Sequence, residues 1–245
     1  MPASTNVSAS AVRTRELSYR SASSDVSLAG YHASPEGDQL RPGVLVVHEW
    51  WGLNDYARQR ARELAALGYS ALAIDMYGDG RSATDPQQAG QLMHAALADP
   101  ALLRERFLAG LALLRQLPGT DAERLAAIGY CFGGRVVLDM ARQGEPLAGV
   151  VSFHGLLGTV SPATSGSVKA KILVAHGDAD SFVSAEEVAR FEAEMQAAQA
   201  DCRVCHYPDA PHGFTNSASP GYQQEADQRS WLDMQQFLRD LWPRS

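Results

Sequence analysis

Short apolar runs alternate with helical patterns along the chain from residue 43 onward. The run at residues 44–47 is continuous and mostly β-branched, which is typical of a strand buried on both faces. Further strands are predicted at residues 70–75, 125–129, 150–154, 172–176 and 202–207, with weaker ones at 17–20 and 26–31. Strands that alternate with helices form a mostly parallel sheet covered on both faces. We therefore predict an α/β fold with a doubly wound sheet of about eight strands.

Several residues with capping side chains precede helical patterns. Asn54, Asp85, Asp99 and Ser184 each stand where a side-chain oxygen can accept a hydrogen bond from the first helical turn. Ser184 and Glu187 also have the spacing of a capping box. We predict a helix after each of these residues, one over residues 132–142, and a last one near the C-terminus.

The length of 245 residues is in the range of a single α/β domain. The first ten residues are rich in Ser and Ala, and we expect residues 1–12 to be a disordered tail or a cloning remnant. Residues 13–245 are then one domain. The N-terminus lacks the apolar core of a secretory signal, and no apolar run approaches the roughly 20 residues of a membrane span.

The charge and cysteine content exclude several classes of protein. The net charge is −7, and an acidic surface repels phosphate backbones and anionic lipids, so we expect neither nucleic-acid nor membrane partners. Three cysteines are too few for a disulfide scaffold, and without a signal they favour a reducing cytoplasm. A C-x-x-C-H pattern occupies residues 202–206, but a strand would point its two cysteines to opposite faces, so we expect no haem or metal there.

Residues 129–134 read GYCFGG, which is the G-x-S-x-G elbow with cysteine in place of serine. The elbow needs glycines because side chains two before and two after the nucleophile would collide. It also places the Cys131 sulfur at a helix N-terminus, where the helix dipole favours the thiolate. Cys131 is therefore the candidate nucleophile, and a buried structural cysteine is the alternative.

A cysteine nucleophile needs a base. His212 lies in a loop beyond the last predicted strand, where the histidine of such a site falls in chain order. The alternative is an ordinary loop histidine. His48, His154 and His176 also end predicted strands, and for them we expect hydrogen-bonding roles near the site.

The base in turn needs a carboxylate that orients it. Asp178 and Asp180 both follow the strand predicted at residues 172–176. We favour Asp180, because Asp178 is placed to shape the turn through bonds to its own backbone.

These motifs occur together with HEWWG at residues 48–52, DMYG at 75–78 and PHGF at 211–214. In this order they resemble the dienelactone hydrolase family of α/β-hydrolases over about residues 48–214. The resemblance implies the α/β-hydrolase fold, with no large cap domain and no cofactor. It also implies a triad and an oxyanion hole, formed by Cys131, His212 and Asp180 and by the backbone N–H groups of Trp50 and Phe132.

The resemblance further implies that Glu49 approaches the cysteine and takes part in thiol activation. Glu49 directly follows a strand predicted to be buried, where a carboxylate is costly without a partner. A solvent-facing glutamate at the start of a loop is the alternative.

Four residues are candidates for the substrate pocket: Trp51, Tyr77, Arg81 and Phe214. Dienelactone-type members hold a substrate carboxylate with arginines, one of them shortly after the catalytic histidine, but residues 213–216 read GFTN. Arg81 remains a candidate cation, although an exposed loop arginine is an equal alternative. A less basic pocket favours neutral or weakly charged esters.

We therefore predict a hydrolase that cleaves small esters or lactones through a thioester on Cys131. Activity on other activated esters, including neutral phosphotriesters, is expected because a thiolate is a soft nucleophile. The expected partner is a small-molecule substrate, and the expected assembly is a monomer or a weak homodimer. A non-catalytic binding module and a thiol redox protein that uses Cys131 are the alternatives.

Overall fold

The computed structural model describes residues 11–21, 25–37 and 39–243. Within these residues one sheet contains β1 (Val12–Arg20), β2 (Ser27–Pro35), β3 (Arg41–Val47), β4 (Ser70–Ile74), β5 (Thr120–Tyr130), β6 (Gly149–Phe153), β7 (Lys171–Gly177) and β8 (Cys202–Tyr207). The strand order is β1-β2-β4-β3-β5-β6-β7-β8. Strands β3 to β8 pair in parallel, while β1 and β2 are antiparallel at one edge. The predicted fold class is confirmed, and the described chain contains no large cap domain.

Helices cover both faces of the sheet. They are α1 (Asp55–Ala66), α2 (Pro86–Leu97), α3 (Pro100–Gln116), α4 (Phe132–Arg142), α5 (Ala185–Ala197) and α6 (Gln224–Leu241). One core cluster contains side chains of α2 to α5, and the other contains side chains of α1 and α6. None of the helices in the described segments is long and apolar enough to cross a membrane.

The central strand β3 shows why its sequence is a continuous apolar run. Leu45 and Val47 belong to one core cluster, while Val44 and Val46 belong to the other. All four side chains are fully buried. Burial of one such side chain contributes about 1.5–3 kcal/mol, so both faces of the strand must be apolar.

The four predicted caps are present. The side chains of Asn54, Asp85, Asp99 and Ser184 accept hydrogen bonds from the backbone N–H three residues further on. The capping box is only half formed, because the Glu187 carboxylate instead accepts from the N–H groups of residues 157 and 158. Glu187 therefore fastens the loop after β6 to the start of α5.

Two predicted boundaries are corrected. Strand β1 begins at Val12, which pairs with Pro35, so the folded domain starts before residue 13. Residues 1–10 of the predicted tail lie outside the described residues. Strand β5 begins at Thr120 rather than at residue 125, because Thr120 pairs with Arg41 ahead of a register shift in β3.

Candidate active site

A sharp turn between β5 and α4 presents the Cys131 side chain. Cys131 has φ +53° and ψ −113°, a strained backbone for a residue with a side chain. A Cβ added at Gly129 would lie 2.1 Å from the Gly133 carbonyl oxygen, and one added at Gly133 would lie 2.3 Å from the Val47 oxygen. Both glycines are therefore required by close backbone contacts, as the elbow pattern predicts.

The turn places the cysteine sulfur at the start of α4. Cys131 is 9% exposed, and it lines a cavity at the carboxyl ends of the parallel strands. Its backbone N–H donates to the Phe153 carbonyl, at 3.0 Å, which ties the turn to β6. The side chain is therefore held at the positive end of the helix dipole.

His212 and Asp180 form a hydrogen-bonded pair beside the cysteine. The Nδ1 of His212 lies 2.8 Å from Asp180 Oδ2. The other carboxylate oxygen accepts from the Phe182 N–H, at 2.8 Å. Because a carboxylate only accepts hydrogen bonds, the proton is on Nδ1, and Nε2 is left for Cys131.

The protonation of His212 is set by opposing effects. Burial lowers its pKa, but hydrogen bonds with Asp180 and with Cys131 raise the pKa to about 10. The His212 ring therefore readily holds the proton that a leaving group needs.

The structure places Asp178 away from this pair. Its Oδ1 lies 2.6 Å from Nδ1 of His206, and both side chains are exposed.

Two other histidines at strand ends, His154 and His176, contact neighbouring side chains. His154 Nε2 lies 2.7 Å from Thr215 Oγ1. Burial lowers the pKa of both His154 and His176.

Glu49 is 5% exposed and lines the same cavity as Cys131. One of its oxygens accepts from the Asn216 side-chain amide, at 2.7 Å. Burial raises the pKa of Glu49, although the hydrogen bond from Asn216 and the charges of His212 and Arg60 oppose this. The carboxyl group can therefore hold a proton at a higher pH than an exposed glutamate can. Asn216 stands in the stretch after His212 that lacks an arginine.

The backbone after β3 runs against the start of α4. A Cβ on Gly133 would lie 2.7 Å from the His48 carbonyl oxygen, so this chain segment approaches the elbow closely. Trp50 follows directly and lines the cavity. The segments that carry Trp50 and Phe132 therefore approach each other beside the nucleophile, and the orientation of their N–H groups towards an oxyanion stays a prediction.

The cavity has a volume of about 780 Å³. Its walls are mainly apolar and aromatic, formed by Trp50, Trp51, Tyr56, Met93, Leu156 and Phe182. Two carboxylates, Glu49 and Asp55, also line it. Among the described residues that line the cavity there is no arginine or lysine.

Three predicted pocket residues lie elsewhere. Tyr77 is buried, and its hydroxyl donates to the Trp50 carbonyl, at 2.9 Å. The Arg81 guanidinium donates to the carbonyls of Tyr77 and Gly78. Phe214 is fully buried and packs on other aromatic rings. Of the four residues predicted for the substrate pocket, only Trp51 therefore lines the cavity.

Besides Tyr56 on α1, the walls that sequence reasoning missed come from three further segments. Met93 is on α2 and Leu156 is in the loop after β6, and neither stands in a motif. Phe182 could have been predicted from the sequence, because it lies two residues after Asp180, in the loop that carries the proposed triad carboxylate. It is 67% exposed, and its ring centroid lies 4.8 Å from that of His212.

Within the described residues, no group of three or more His, Cys, Asp or Glu side chains is arranged to hold a metal ion. The parallel sheet, the strained elbow and the paired histidine and aspartate define an α/β-hydrolase. A family model for dienelactone hydrolases matches residues 28–242. The chain therefore belongs to the dienelactone hydrolase family, as its motifs indicated.

Comparison with known proteins agrees with this assignment. The chain is 29% identical over 223 residues to a Methylorubrum extorquens protein named "Putative carboxymethylenebutenolidase", covering 86% of this chain and 76% of that protein. It is 31% identical over 227 residues to a Bradyrhizobium protein named "Probable 2-oxo-3-(5-oxofuran-2-ylidene)propanoate lactonase", covering 85% and 88%. A solved structure described as a dienelactone hydrolase-like promiscuous phosphotriesterase from metagenomic libraries is 34% identical, with a TM-score of 0.86 and coverage of 94% and 99%.

Proposed function

We propose that this protein hydrolyses small, uncharged esters and lactones with Cys131 as the nucleophile. The observation that carries the proposal is the His212–Asp180 pair, at 2.8 Å, in the same cavity as a cysteine held on a strained elbow. The lactonase and carboxymethylenebutenolidase names of its relatives support the same class of reaction.

In the first half of the reaction, the Cys131 thiolate attacks the carbonyl carbon. The negative charge that develops on the carbonyl oxygen is stabilised by the N–H groups of Trp50 and Phe132. The carbon–oxygen bond to the leaving group then breaks, and the His212 imidazolium protonates the leaving alkoxide. The products are an alcohol, or the tethered hydroxyl of an opened lactone, and a thioester on Cys131.

In the second half, neutral His212 removes a proton from water as the water attacks the thioester. A second tetrahedral oxyanion forms in the same hole and collapses, which releases the carboxylic acid and restores the thiolate and the imidazolium. Asp180 keeps the histidine ring in one orientation throughout.

We assign Glu49 to thiol activation. It is buried beside the cysteine in the cavity, and its raised pKa suits a group that exchanges a proton with the Cys131 thiol. Ionised Glu49 accepts the thiol proton as the substrate enters, which forms the attacking thiolate, and returns the proton to Cys131 after the acid product leaves. The hydrogen bond from Asn216 keeps the carboxylate in place for this transfer.

The charges that line the cavity support uncharged substrates. Glu49 and Asp55 repel an anionic group, and the Arg81 guanidinium is turned to backbone carbonyls outside the cavity. The aromatic walls suit an aryl group. We extend the proposal to neutral phosphotriesters, since a structural neighbour is described as a promiscuous phosphotriesterase. Attack there releases an aryl alcohol and leaves a phosphorylated cysteine that water must cleave.

A redox role for Cys131 is disfavoured by the position of the other thiols. Cys202 and Cys205 are on β8, three strands from β5. Neighbouring strands lie about 4.8 Å apart, whereas a disulfide needs Cα atoms within about 7 Å. The proposal also includes a cytoplasmic location and a monomer or weak homodimer, which cell fractionation and size-exclusion chromatography would test.

The direct test compares kcat/KM for a neutral aryl ester with that for its carboxylate-bearing analogue, in wild type and in Cys131→Ala. We expect the neutral ester to be preferred by about tenfold, since repulsion between one carboxylate of the cavity and an anionic substrate is worth about 1 kcal/mol. The Cys131→Ala protein should be folded and inactive on both. Activity of the variant near that of wild type, or a tenfold preference for the anion, would contradict the proposal.

A further inference from the structure

We propose that His48 and Tyr77 are positioning residues that fix the two peptide groups on either side of Trp50, so that the Trp50 N–H is held ready for the oxyanion. This inference rests on the proposed hydrolase function. Tyr77, which was predicted to line the pocket, instead holds the backbone behind the pocket wall.

The hydrogen bonds of His48 define which ring nitrogen carries the proton. Nε2 lies 3.2 Å from the Met76 backbone N–H, which can only donate, so Nε2 is an acceptor. The proton is therefore on Nδ1, which donates to the Glu49 carbonyl oxygen, at 2.5 Å. Burial lowers the pKa of His48, so the ring stays neutral and keeps this single donor.

The Glu49 carbonyl belongs to the same peptide group as the Trp50 N–H. In a trans peptide the C=O and N–H bonds point in opposite directions, and the described chain has no cis peptide bond. When His48 holds the carbonyl, it therefore directs the Trp50 N–H to the side away from its own ring. The Gly52 N–H also reaches the Glu49 carbonyl, at 3.3 Å, and closes the turn.

Tyr77 holds the next peptide group. Its hydroxyl donates to the Trp50 carbonyl oxygen, at 2.9 Å. The rings of His48 and Tyr77 meet edge to face, with centroids 4.8 Å apart. Both peptide planes that flank Trp50 are thus fixed by two side chains in mutual contact.

Phe132 connects this pair to the second oxyanion donor. Its ring centroid lies 5.8 Å from that of His48 and 5.5 Å from that of Tyr77. All three side chains are buried. One aromatic cluster therefore supports both backbone N–H groups proposed for the oxyanion hole. An oxyanion hole whose N–H groups are already oriented needs no rearrangement when negative charge develops on the substrate.

The test compares two buried tyrosines. Tyr77→Phe removes only the hydroxyl that holds the Trp50 carbonyl. Tyr130→Phe is the matched control, because Tyr130 directly precedes the nucleophile in the chain, its side chain is fully buried, and its hydroxyl has no hydrogen-bond partner among the described residues. For Tyr77→Phe we expect kcat/KM on a neutral aryl ester to fall about tenfold, less than the loss of a whole oxyanion donor. Tyr130→Phe should stay within about twofold of wild type.

A pair of inhibitors separates loss of the oxyanion hole from general damage. A trifluoromethyl ketone adds to the thiolate and places an oxyanion in the hole, whereas the methyl ketone of the same shape binds as a ketone. Tyr77→Phe should weaken binding of the trifluoromethyl ketone by the same factor as it lowers kcat/KM, because this adduct resembles the transition state. Binding of the methyl ketone should not change.

A second pair of variants tests His48. The side-chain amide of His48→Asn can still donate to the Glu49 carbonyl, whereas His48→Phe cannot. We expect His48→Asn to retain several times more activity than His48→Phe. Equal activity of the two folded variants, or equal weakening of both ketones by Tyr77→Phe, would overturn the inference. The proposed function itself fails on a different result, which is full activity of Cys131→Ala.

Discussion

The contact between Asn216 and Glu49 gives the sharpest prediction for stability and pH dependence. The amide of Asn216 is fixed in orientation, because its oxygen accepts from the Ala218 N–H, at 3.0 Å, while its nitrogen donates to Glu49, at 2.7 Å. The substitution Asn216→Asp keeps the shape and the first bond but replaces the donor with a second carboxylate oxygen.

The magnitude follows from the lost bond. A hydrogen bond to a charged group contributes about 1.5–3 kcal/mol, and repulsion between the carboxylates adds to the loss. We expect the free energy of unfolding of Asn216→Asp to be lower than that of wild type by about 2–3 kcal/mol at neutral pH.

The pH dependence has a definite sign. Burial already raises the pKa of Glu49 above 4.5, so its ionisation costs the folded state stability as the pH rises through and above that value. The loss caused by Asn216→Asp should therefore shrink as the pH falls towards 4.5, where Glu49 is protonated and no longer needs a donor. The acid limb of kcat/KM should move to higher pH, since ionised Glu49 is the form that activates the thiol.

The assay is urea unfolding of both proteins at several pH values, together with the pH profile of kcat/KM. Asn54→Asp is the matched control, because it adds the same charge to the cavity lining at a helix cap that Asp fills equally well. The control should change stability by less than about 0.5 kcal/mol. A loss in Asn216→Asp that is the same at pH 4 and pH 8, or is matched by Asn54→Asp, would refute the reasoning.

Three further predictions concern the triad and the cavity. Asp180→Asn should move the alkaline limb of kcat/KM to lower pH, because it removes a bond that raises the pKa of His212 to about 10, while Asp178→Asn should leave the limb in place. Phe182→Ala should lower kcat/KM about tenfold for aryl esters and much less for methyl esters, because the exposed ring lies where His212 protonates the leaving group. Arg81→Ala should leave the neutral-to-anionic ratio unchanged, since its guanidinium donates to backbone carbonyls. Steady-state kinetics on matched substrates checks each of these.

The sequence predicted best the elements whose signals are local. Helix α4 and strand β8 have the predicted bounds, because a glycine-flanked elbow begins the first and a short run rich in apolar residues forms the second. Strand β1 was underestimated, since an edge strand with mostly exposed residues carries little apolar pattern. Strand β5 was also underestimated, because its first residues are mostly polar and carry no apolar pattern, although they pair with β3.

The candidate site divides in the same way. The positions of Cys131, His212 and Asp180 follow from motifs at strand ends, where chain order and topology leave few choices. The cavity walls depend on how distant segments pack, so Met93 was not predicted and Phe214 was predicted wrongly. The use of Tyr77 behind the backbone rather than in the cavity depends on one hydrogen bond that no spacing rule contains.

The central claim is that a covalent thioester forms on Cys131. Rapid mixing with a neutral aryl ester, acid quenching and mass spectrometry of the peptides measure it directly. We predict that the peptide containing Cys131 gains the mass of the acyl group in the first turnover, that His212→Ala slows both formation and decay of this species, and that Cys131→Ala never shows it. Turnover of the ester with no acyl group on Cys131 at any time, or with the acyl group on another residue, would contradict the account.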